Sequence, residues 1–204
     1  MFARSVTISQ ADLGALDKGT AYVREDVMPQ LGLLGCLGIS MVASRMARQV
    51  IVTSSWETRE AMDGTREAMA PSRAKVAELL DGEVSIAEWE VALMHRDHDA
   101  FDQAACRITW ARTPDIDGLL ERFRTMTMPS ISEAMGFCSV SMFVDRERGA
   151  VCGTTTFDSR ATLEASRARA DANRLRMAQF VDVDYTDVKE FDLALAHLRL
   201  PELV

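Results

Sequence analysis

Short runs of β-branched residues open a pattern of alternating strand-like and helix-like segments along the chain. Residues 6–8 predict a first strand that ends at a polar turn. Leu16, Val23, Val27 and Leu31 then recur near helical spacing and predict a helix, which Pro29 should kink or terminate. Residues 37–43 and 50–53 alternate small or polar with apolar positions around an arginine-containing turn, and therefore predict a β-hairpin.

The remainder of this first segment predicts one more helix and one more strand. Thr58 is placed to cap a long helix whose apolar stripe includes Met62, Met69 and Val76. Around Trp89, apolar and polar residues alternate as in a half-buried strand. The order β-α-β-β-α-β is that of a ferredoxin-like unit, in which a four-stranded antiparallel sheet carries both helices on one face.

The same order occurs twice, because the chain is a tandem duplication. Residues 54–62 (SSWETREAM) match residues 155–163 (TTFDSRATL) at an offset of 101, and residues 88–95 match residues 190–197 at an offset of 102. We therefore predict a first unit at 1–96, a linker at 97–104 and a second unit at 105–204. Each unit alone leaves one sheet face uncovered, so the predicted fold is α+β, with tandem ferredoxin-like βαββαβ units forming a pseudo-dimeric α/β barrel.

Composition and charge exclude several classes of protein. The 204 residues carry 23 basic and 31 acidic side chains, a net charge of −8, which disfavours a nucleic-acid partner or a basic membrane-surface helix. The longest apolar stretch, residues 31–43, contains three glycines and is too short to span a bilayer. No signal peptide is indicated, so we expect a cytoplasmic protein. The four cysteines lack metal-site spacing and are expected to be reduced and mostly buried.

Residues 50–62, a strand that runs into Trp-acid-Thr and then a helix, resemble the most recognisable segment of the antibiotic biosynthesis monooxygenase (ABM) type of dimeric α/β barrel. The resemblance covers both halves, with Phe157 in place of Trp56 in the second. It implies the barrel fold. That superfamily includes cofactor-independent oxygenases, haem-degrading enzymes and proteins without known activity, so the resemblance leaves the reaction open.

The haem-degrading branch of that family has a histidine ligand to iron about nine residues after the tryptophan. This chain has Thr65 and Ser166 there, and a hydroxyl is not a usual axial ligand of haem iron. No cofactor and no metal is therefore expected. The cluster at residues 95–99 holds His95 and His98 in a linker rather than on one helix face, which disfavours a metal site.

A cofactor-independent oxygenase needs a group that removes a phenolic proton and a pocket that holds the resulting anion. We expect His95 and Glu90 as general-base candidates; His197 and Asp192 are their repeats. The alternative for the histidines is a strand-end residue kept from the duplication, and for the carboxylates a solvated or barrel-end position; the sequence favours these alternatives.

Five residues are the candidate substrate-binding set. In this set, the aromatic rings would stack on a planar ligand, the hydroxyls would bind it and the arginine would attract an anion. Alternatively, the rings only close the core and the arginine belongs to a solvated helix face. The set is Trp56, Thr65, Arg66, Phe157 and Ser166.

Two functional hypotheses remain open. The first is a cofactor-independent monooxygenase that acts on a small aromatic substrate, and the second is a non-catalytic barrel that binds a small ligand or only assembles. A cavity beside Trp56 would favour the first, and the half with Trp56 is the one expected to keep a pocket. The sequence allows both a monomer with an internal pseudo-dimer and a homodimer.

Overall fold

The structure of the protein is a computed structural model that describes residues 1–100, 103–198 and 201–203. The strands of the first repeat are β1 (Phe2–Ser9), β2 (Gly38–Ser44), β3 (Gln49–Trp56) and β4 (Glu83–Arg96). Its helices are α1 (Leu16–Tyr22), α2 (Met28–Leu33), α3 (Arg59–Gly64) and α4 (Ala70–Leu79). The strands of the second repeat are β5 (Ala105–Arg112), β6 (Phe137–Asp145), β7 (Ala150–Phe157) and β8 (Asp184–Leu198). Its helices are α5 (Ile116–Arg122), α6 (Met128–Ser132), α7 (Arg160–Ala165) and α8 (Arg167–Met177).

The strands hydrogen-bond in the order β1-β3-β2-β8-β5-β7-β6-β4, and this order closes into a barrel. In the first repeat β3 pairs antiparallel with both β1 and β2, and in the second β7 pairs antiparallel with both β5 and β6. The registers are equivalent: Arg4 lies opposite Ser54, and Arg107 lies opposite Thr155. The predicted α+β class, the tandem ferredoxin-like repeat and the barrel are confirmed.

The described residues form two compact units that do not follow the repeat boundary. Unit 1 comprises residues 1–89 and 193–198, and unit 2 comprises residues 90–100, 103–192 and 201–203. The last strand of each repeat, β4 or β8, therefore contributes residues to both units. The predicted bounds, 1–96, 97–104 and 105–204, describe the duplication in the sequence and stay a prediction. Five of these residues lie outside the described part of the chain: 101 and 102 in the linker, and 199, 200 and 204 in the second unit.

Each unit has its own apolar core between sheet and helices. The core of unit 1 is centred on the fully buried Trp56 and Met62, and that of unit 2 on Phe157 and Leu163 at the equivalent positions. Burial of such large side chains is the main source of stability in units of this size.

Helix capping follows the prediction, but each second helix is divided. The Thr58 hydroxyl accepts a hydrogen bond from the Ala61 amide at 3.1 Å, and the Ser159 hydroxyl accepts one from the Thr162 amide at 3.2 Å. The predicted long helix of the first repeat ends at Gly64 and resumes at Ala70. At this break the Met62 carbonyl accepts hydrogen bonds from the Thr65 amide, the Thr65 hydroxyl and the Arg4 guanidinium, while the Arg66 amide donates to Asp63 instead of continuing the helical ladder.

The first helix of each repeat is distorted at its proline, which is one of the two predicted outcomes, and continues for one more short segment rather than ending there. A wide π-helical turn, Val23–Val27 or Phe123–Thr127, comes directly before Met28-Pro29 or Met128-Pro129. Proline lacks an N–H and its ring crowds the preceding turn, and a wider turn relieves both problems without ending the helix. None of the helices in the described part of the chain is long and apolar enough to cross a membrane.

Candidate functional site

A buried arginine is the polar centre of unit 2. Arg107, on β5, is only 5% exposed and faces the junction between α7 and α8. Its Nη1 donates to Ser166 Oγ at 3.0 Å, and its Nη2 donates to the Leu163 carbonyl and to Glu190 Oε1, both at 2.9 Å. A buried guanidinium is tolerated only when its charge and its N–H groups are satisfied, and this network satisfies them.

Glu190 balances the charge of that arginine. Hydrogen bonds from Arg167 first, and then from Arg107, lower the pKa of Glu190 to about 2. Arg167 reaches the carboxylate through Nε at 2.9 Å and Nη2 at 2.5 Å, and this contact raises the pKa of Arg167. The carboxylate therefore stays ionised and ties the helix pair to the sheet.

Unit 1 contains the same network at equivalent positions. Arg4 donates to Glu88 and to Thr65 Oγ1, each at 2.9 Å, and to the Met62 carbonyl at 3.0 Å. Arg66 donates to the other oxygen of Glu88 at 2.9 Å. Because both units keep the network, its role is structural: it fixes the broken helix on the sheet.

A cavity of about 100 Å³ lies between the sheet and helices of unit 2. Most of its wall is apolar, and the polar lining residues lie on α8 or directly before it, on β5, β7 and β8, and in the π-helical turn before α6. The apolar lining residues include Ala111, Leu119, Phe123, Ile131, Val140, Met142, Val151, Phe157, Ala170 and Met177. The polar lining residues are Arg107, Thr109, Thr127, Thr155, Ser166, Arg169, Asn173, Arg174 and Tyr185.

The charged side chains on the wall of this cavity are arginines. Arg174 pairs with Asp171 on its own helix, and Arg169 donates to the Ser130 carbonyl at 2.6 Å. Burial raises the pKa of Tyr185, and the nearby Arg174 opposes that rise, so the phenol is neutral near pH 7. Among the described residues that line the cavity, the ionisable side chains are three arginines and Tyr185, and none is acidic.

The equivalent cavity of unit 1 is smaller, about 40 Å³. It is lined by Trp56 and, at the position of Arg174, by Arg73, whose pKa is lowered by burial and by the neighbouring Arg4. The Trp56 indole N–H is buried and has no hydrogen-bond partner among the described residues. The larger cavity thus lies beside Phe157, whereas the half with Trp56 was expected to keep it.

The predicted substrate-binding residues fall into three groups. Trp56 and Phe157 line the cavities of their units. Ser166 lines the cavity of unit 2, and its hydroxyl accepts a hydrogen bond from Arg107. Thr65 is buried and its hydroxyl is occupied by Arg4 and the Met62 carbonyl. Arg66 is half exposed and binds Asp63 and Glu88.

The predicted catalytic residues lie elsewhere. His95 stacks on Phe137 with ring centroids 6.1 Å apart, and its Nδ1 is 3.2 Å from a Glu202 carboxylate oxygen. Glu90 accepts hydrogen bonds from Arg146 at 2.8 and 3.3 Å. Neither residue is among the described residues that line the two cavities, and both belong to unit 2 whereas Trp56 belongs to unit 1. The structure therefore gives their catalytic roles no support.

Their repeats lie apart from the two cavities as well. His197 lines a surface cleft beside Cys36, and Asp192 accepts hydrogen bonds from Arg160. The cysteines are free; burial raises the pKa of Cys106 and of Cys152 to about 12. The described residues contain no group of three or more His, Cys, Asp or Glu side chains arranged to hold a metal ion.

Sequence reasoning missed the residues that shape the cavity. Arg4 and Arg107 occupy equivalent positions in β1 and β5, and both are buried. A charged residue at a strand position that faces the helices, repeated in both halves, is a sequence signal for a buried polar network. Arg174 follows Arg160 and Arg167 at seven-residue spacing, a pattern that by itself indicates a solvated helix face. Tyr185 gave no signal, because its position in the cavity depends on β8 returning beside β5.

Comparison with known proteins identifies relatives. No family model matches the chain. The uncharacterized protein Rv2557 of Mycobacterium tuberculosis (strain ATCC 25618 / H37Rv) is 42% identical over 207 residues, which cover 100% of this chain and 92% of the relative. The uncharacterized protein Rv2558 of the same strain is 41% identical over 210 residues, covering 100% and 88%. The chain belongs to the family of these two mycobacterial proteins.

Solved structures share the fold of this family at low sequence identity. An anthrone oxidase-like protein superposes with a TM-score of 0.65 at 11% identity, covering 100% of this chain and 94% of its own. An uncharacterized ferredoxin-fold protein related to antibiotic biosynthesis monooxygenases, from Listeria monocytogenes 4b F2365, gives 0.53 at 11% identity and 94% coverage of both chains. The heme-degrading enzyme LmHde of Listeria monocytogenes gives 0.55 at 10% identity, covering 94% and 99%. The ABM-like barrel fold is confirmed, and the different activities of these neighbours show that the fold does not decide the reaction.

Proposed function

We propose that the protein binds a small acidic aromatic molecule in the cavity of unit 2. The observation that carries this proposal is a mostly apolar wall that includes arginines and, among the described lining residues, no acidic side chain. An apolar cavity of about 150 Å³ binds benzene in an engineered protein; the cavity of unit 2, at about 100 Å³, is of the same order and would widen slightly to take a single ring. The ring would occupy the apolar part, and its ionised oxygen would face Arg174 and Tyr185.

The charge of the site favours an anion over a neutral ring. Arg107 is neutralised by Glu190, which leaves Arg169 and Arg174 to act on a bound ligand. Arg174 is partly offset by Asp171, but its side chain is only 22% exposed, and a guanidinium at such a position still stabilises a phenolate or carboxylate oxygen. A phenol therefore binds in its ionised form, with its pKa lowered by the site.

The experiment is a titration with 4-nitrophenol, whose anion absorbs visible light, and with 4-nitroanisole, which has the same ring and no acidic proton. We expect the anion to bind and Arg174→Gln to weaken it about 10- to 100-fold, the effect of losing one hydrogen bond to a charged group. Arg73→Gln changes the equivalent arginine of unit 1 and is the matched control that should leave binding unchanged. Equal effects of the two variants, or equal affinity for both compounds, would refute the proposal.

A second candidate function follows from the same anion: oxygenation without a cofactor. An ionised phenol is the electron-rich form that reacts with O2, and a site that stabilises the anion favours that reaction. For a phenol with a free para carbon the balance is one phenol and one O2 to one para-quinone and one water. One oxygen atom of O2 is added to the para carbon of the ring, and the other forms water with the phenolic hydrogen and the hydrogen of the para carbon.

Oxygen uptake with 2-methoxyphenol tests this second function. Catalysis predicts one quinone for each O2 consumed, one quinone oxygen labelled by ¹⁸O2, and loss of the reaction in Arg174→Gln but not in Arg73→Gln. Binding of 4-nitrophenol without oxygen uptake would instead support the non-catalytic, ligand-binding barrel.

A further inference from the structure

The two cavities are one site present twice. Each of the lining positions of the unit 1 cavity has its equivalent among the lining residues of the unit 2 cavity. The strand registers agree as well: Val6 lies opposite Val52, and Thr109 lies opposite Gly153. The difference in volume must therefore come from the side chains and not from the fold.

Besides Phe157 in place of Trp56, two exchanges put a smaller side chain on the cavity wall of unit 2. Gly153 stands where unit 1 has Val52, and Ala170 stands where unit 1 has Met69. A Cβ added to Gly153 would have no heavy atom within 4 Å, so this glycine borders empty space rather than a close backbone contact. Met69 is 4% exposed and fills the corresponding space beside Trp56.

The exchanges also change the chemistry of the sheet wall. Thr109 replaces Val6 next to Gly153, and Thr155 replaces Ser54. Neither threonine hydroxyl makes a hydrogen bond among the described residues, although both line the cavity. A ligand with a second polar atom on its ring, such as a hydroxyl or carbonyl oxygen, would bind these hydroxyls.

We infer that unit 1 contains a latent copy of the ligand site, which the side chains of Val52 and Met69 close. Gly153 and Ala170 leave the equivalent cavity of unit 2 open, so the ligand binds in unit 2. This inference rests on the proposed function and deepens it. The selected ligands are single-ring phenols or aromatic acids with a further polar substituent. Arg73 already stands in unit 1 where the ligand anion would need it.

The test exchanges the two pairs of side chains and counts bound 4-nitrophenol per chain by isothermal titration calorimetry. The wild-type protein should bind one molecule, Gly153→Val with Ala170→Met should bind none, and Val52→Gly with Met69→Ala should bind two. All four changes together should restore one molecule, now sensitive to Arg73→Gln and no longer to Arg174→Gln. Val52→Ala with Met69→Ala is a milder opening variant in case glycine in β3 prevents folding.

Crystals held under xenon report the cavities independently of the ligand, because xenon enters apolar cavities of this size. Xenon in unit 1 of the opened variant shows that the cavity has formed. One molecule bound by both the wild-type and the opened variant, or no xenon in unit 1, would overturn the latent site and leave the proposed function standing. A wild-type stoichiometry of zero would overturn the proposed function, and the latent site with it.

Discussion

The Glu190→Gln substitution tests the electrostatic account of unit 2 most fully. The substitution keeps the shape of the side chain and removes the negative charge that faces Arg107 and Arg167. Because the pKa of Glu190 falls from 4.5 to about 2 on folding, its ionisation stabilises the native state by about 3 kcal/mol at pH 7. Breaking a buried ion pair by removing one partner costs a similar ~3–5 kcal/mol.

The contribution of Glu190 to the free energy of unfolding depends on pH. The native state binds the Glu190 proton more weakly than the unfolded state does, so the stabilisation is complete above pH 4.5 and is lost as the pH falls toward 2. We expect the wild-type protein to exceed Glu190→Gln in free energy of unfolding by about 3 kcal/mol at pH 7 and by about 1.4 kcal/mol at pH 3.

Urea denaturation followed by tryptophan fluorescence measures both values. Asp187→Asn is the control, since Asp187 lies on the same strand, is 44% exposed and pairs only with Lys189 among the described residues. It should cost less than about 0.5 kcal/mol. A loss of stability below about 1 kcal/mol in Glu190→Gln, or a loss that is the same at pH 7 and pH 3, would refute the reasoning.

Two further predictions concern burial and backbone conformation. Burial raises the pKa of the Cys152 thiol to about 12, so this thiol should not react with dithionitrobenzoate at pH 8 until the protein unfolds. The half-exposed Cys36 should react first, and equal reaction rates of the two thiols would contradict the prediction. Gly149→Ala should lower the free energy of unfolding by about 1–3 kcal/mol, because Gly149 has φ of 60° and its new Cβ would lie 2.6 Å from the Thr113 carbonyl oxygen. Gly64→Ala, at the last residue of α3 with open space around the new Cβ, should instead raise it by about 0.4–1 kcal/mol in the same urea titration, because alanine restricts the unfolded chain.

Much of the fold is predictable from the sequence because its signals are local and occur twice. The alternation of apolar residues around the hairpins and the capping positions of Thr58 and Ser159 each specify an element without reference to the rest of the chain. The duplication then confirms every element by its repeat. The division of the second helices was not predictable in this way, because it depends on Arg4 and Arg107 reaching the Met62 and Leu163 carbonyls from another strand.

The candidate site was less predictable, because symmetry in the sequence points to residues that the two repeats share. His95 and Glu90 are candidates because imidazole and carboxylate groups can act as general bases, and both have counterparts in the other repeat, yet neither lines either cavity. What distinguishes the cavity of unit 2 is the opposite signal, the positions where the repeats differ. Gly153 in place of Val52 and Ala170 in place of Met69 are visible in the sequence, but their meaning depends on the strand and helix that bring them together.

The central claim is tested most directly by a crystal structure of the protein soaked with 4-nitrophenol. The account predicts one molecule in unit 2, with its ring against Phe157 and its ionised oxygen within hydrogen-bond distance of Arg174 or Tyr185. Density for the ligand in unit 1 alone, or an empty unit 2 cavity at a ligand concentration that saturates binding in solution, would contradict it.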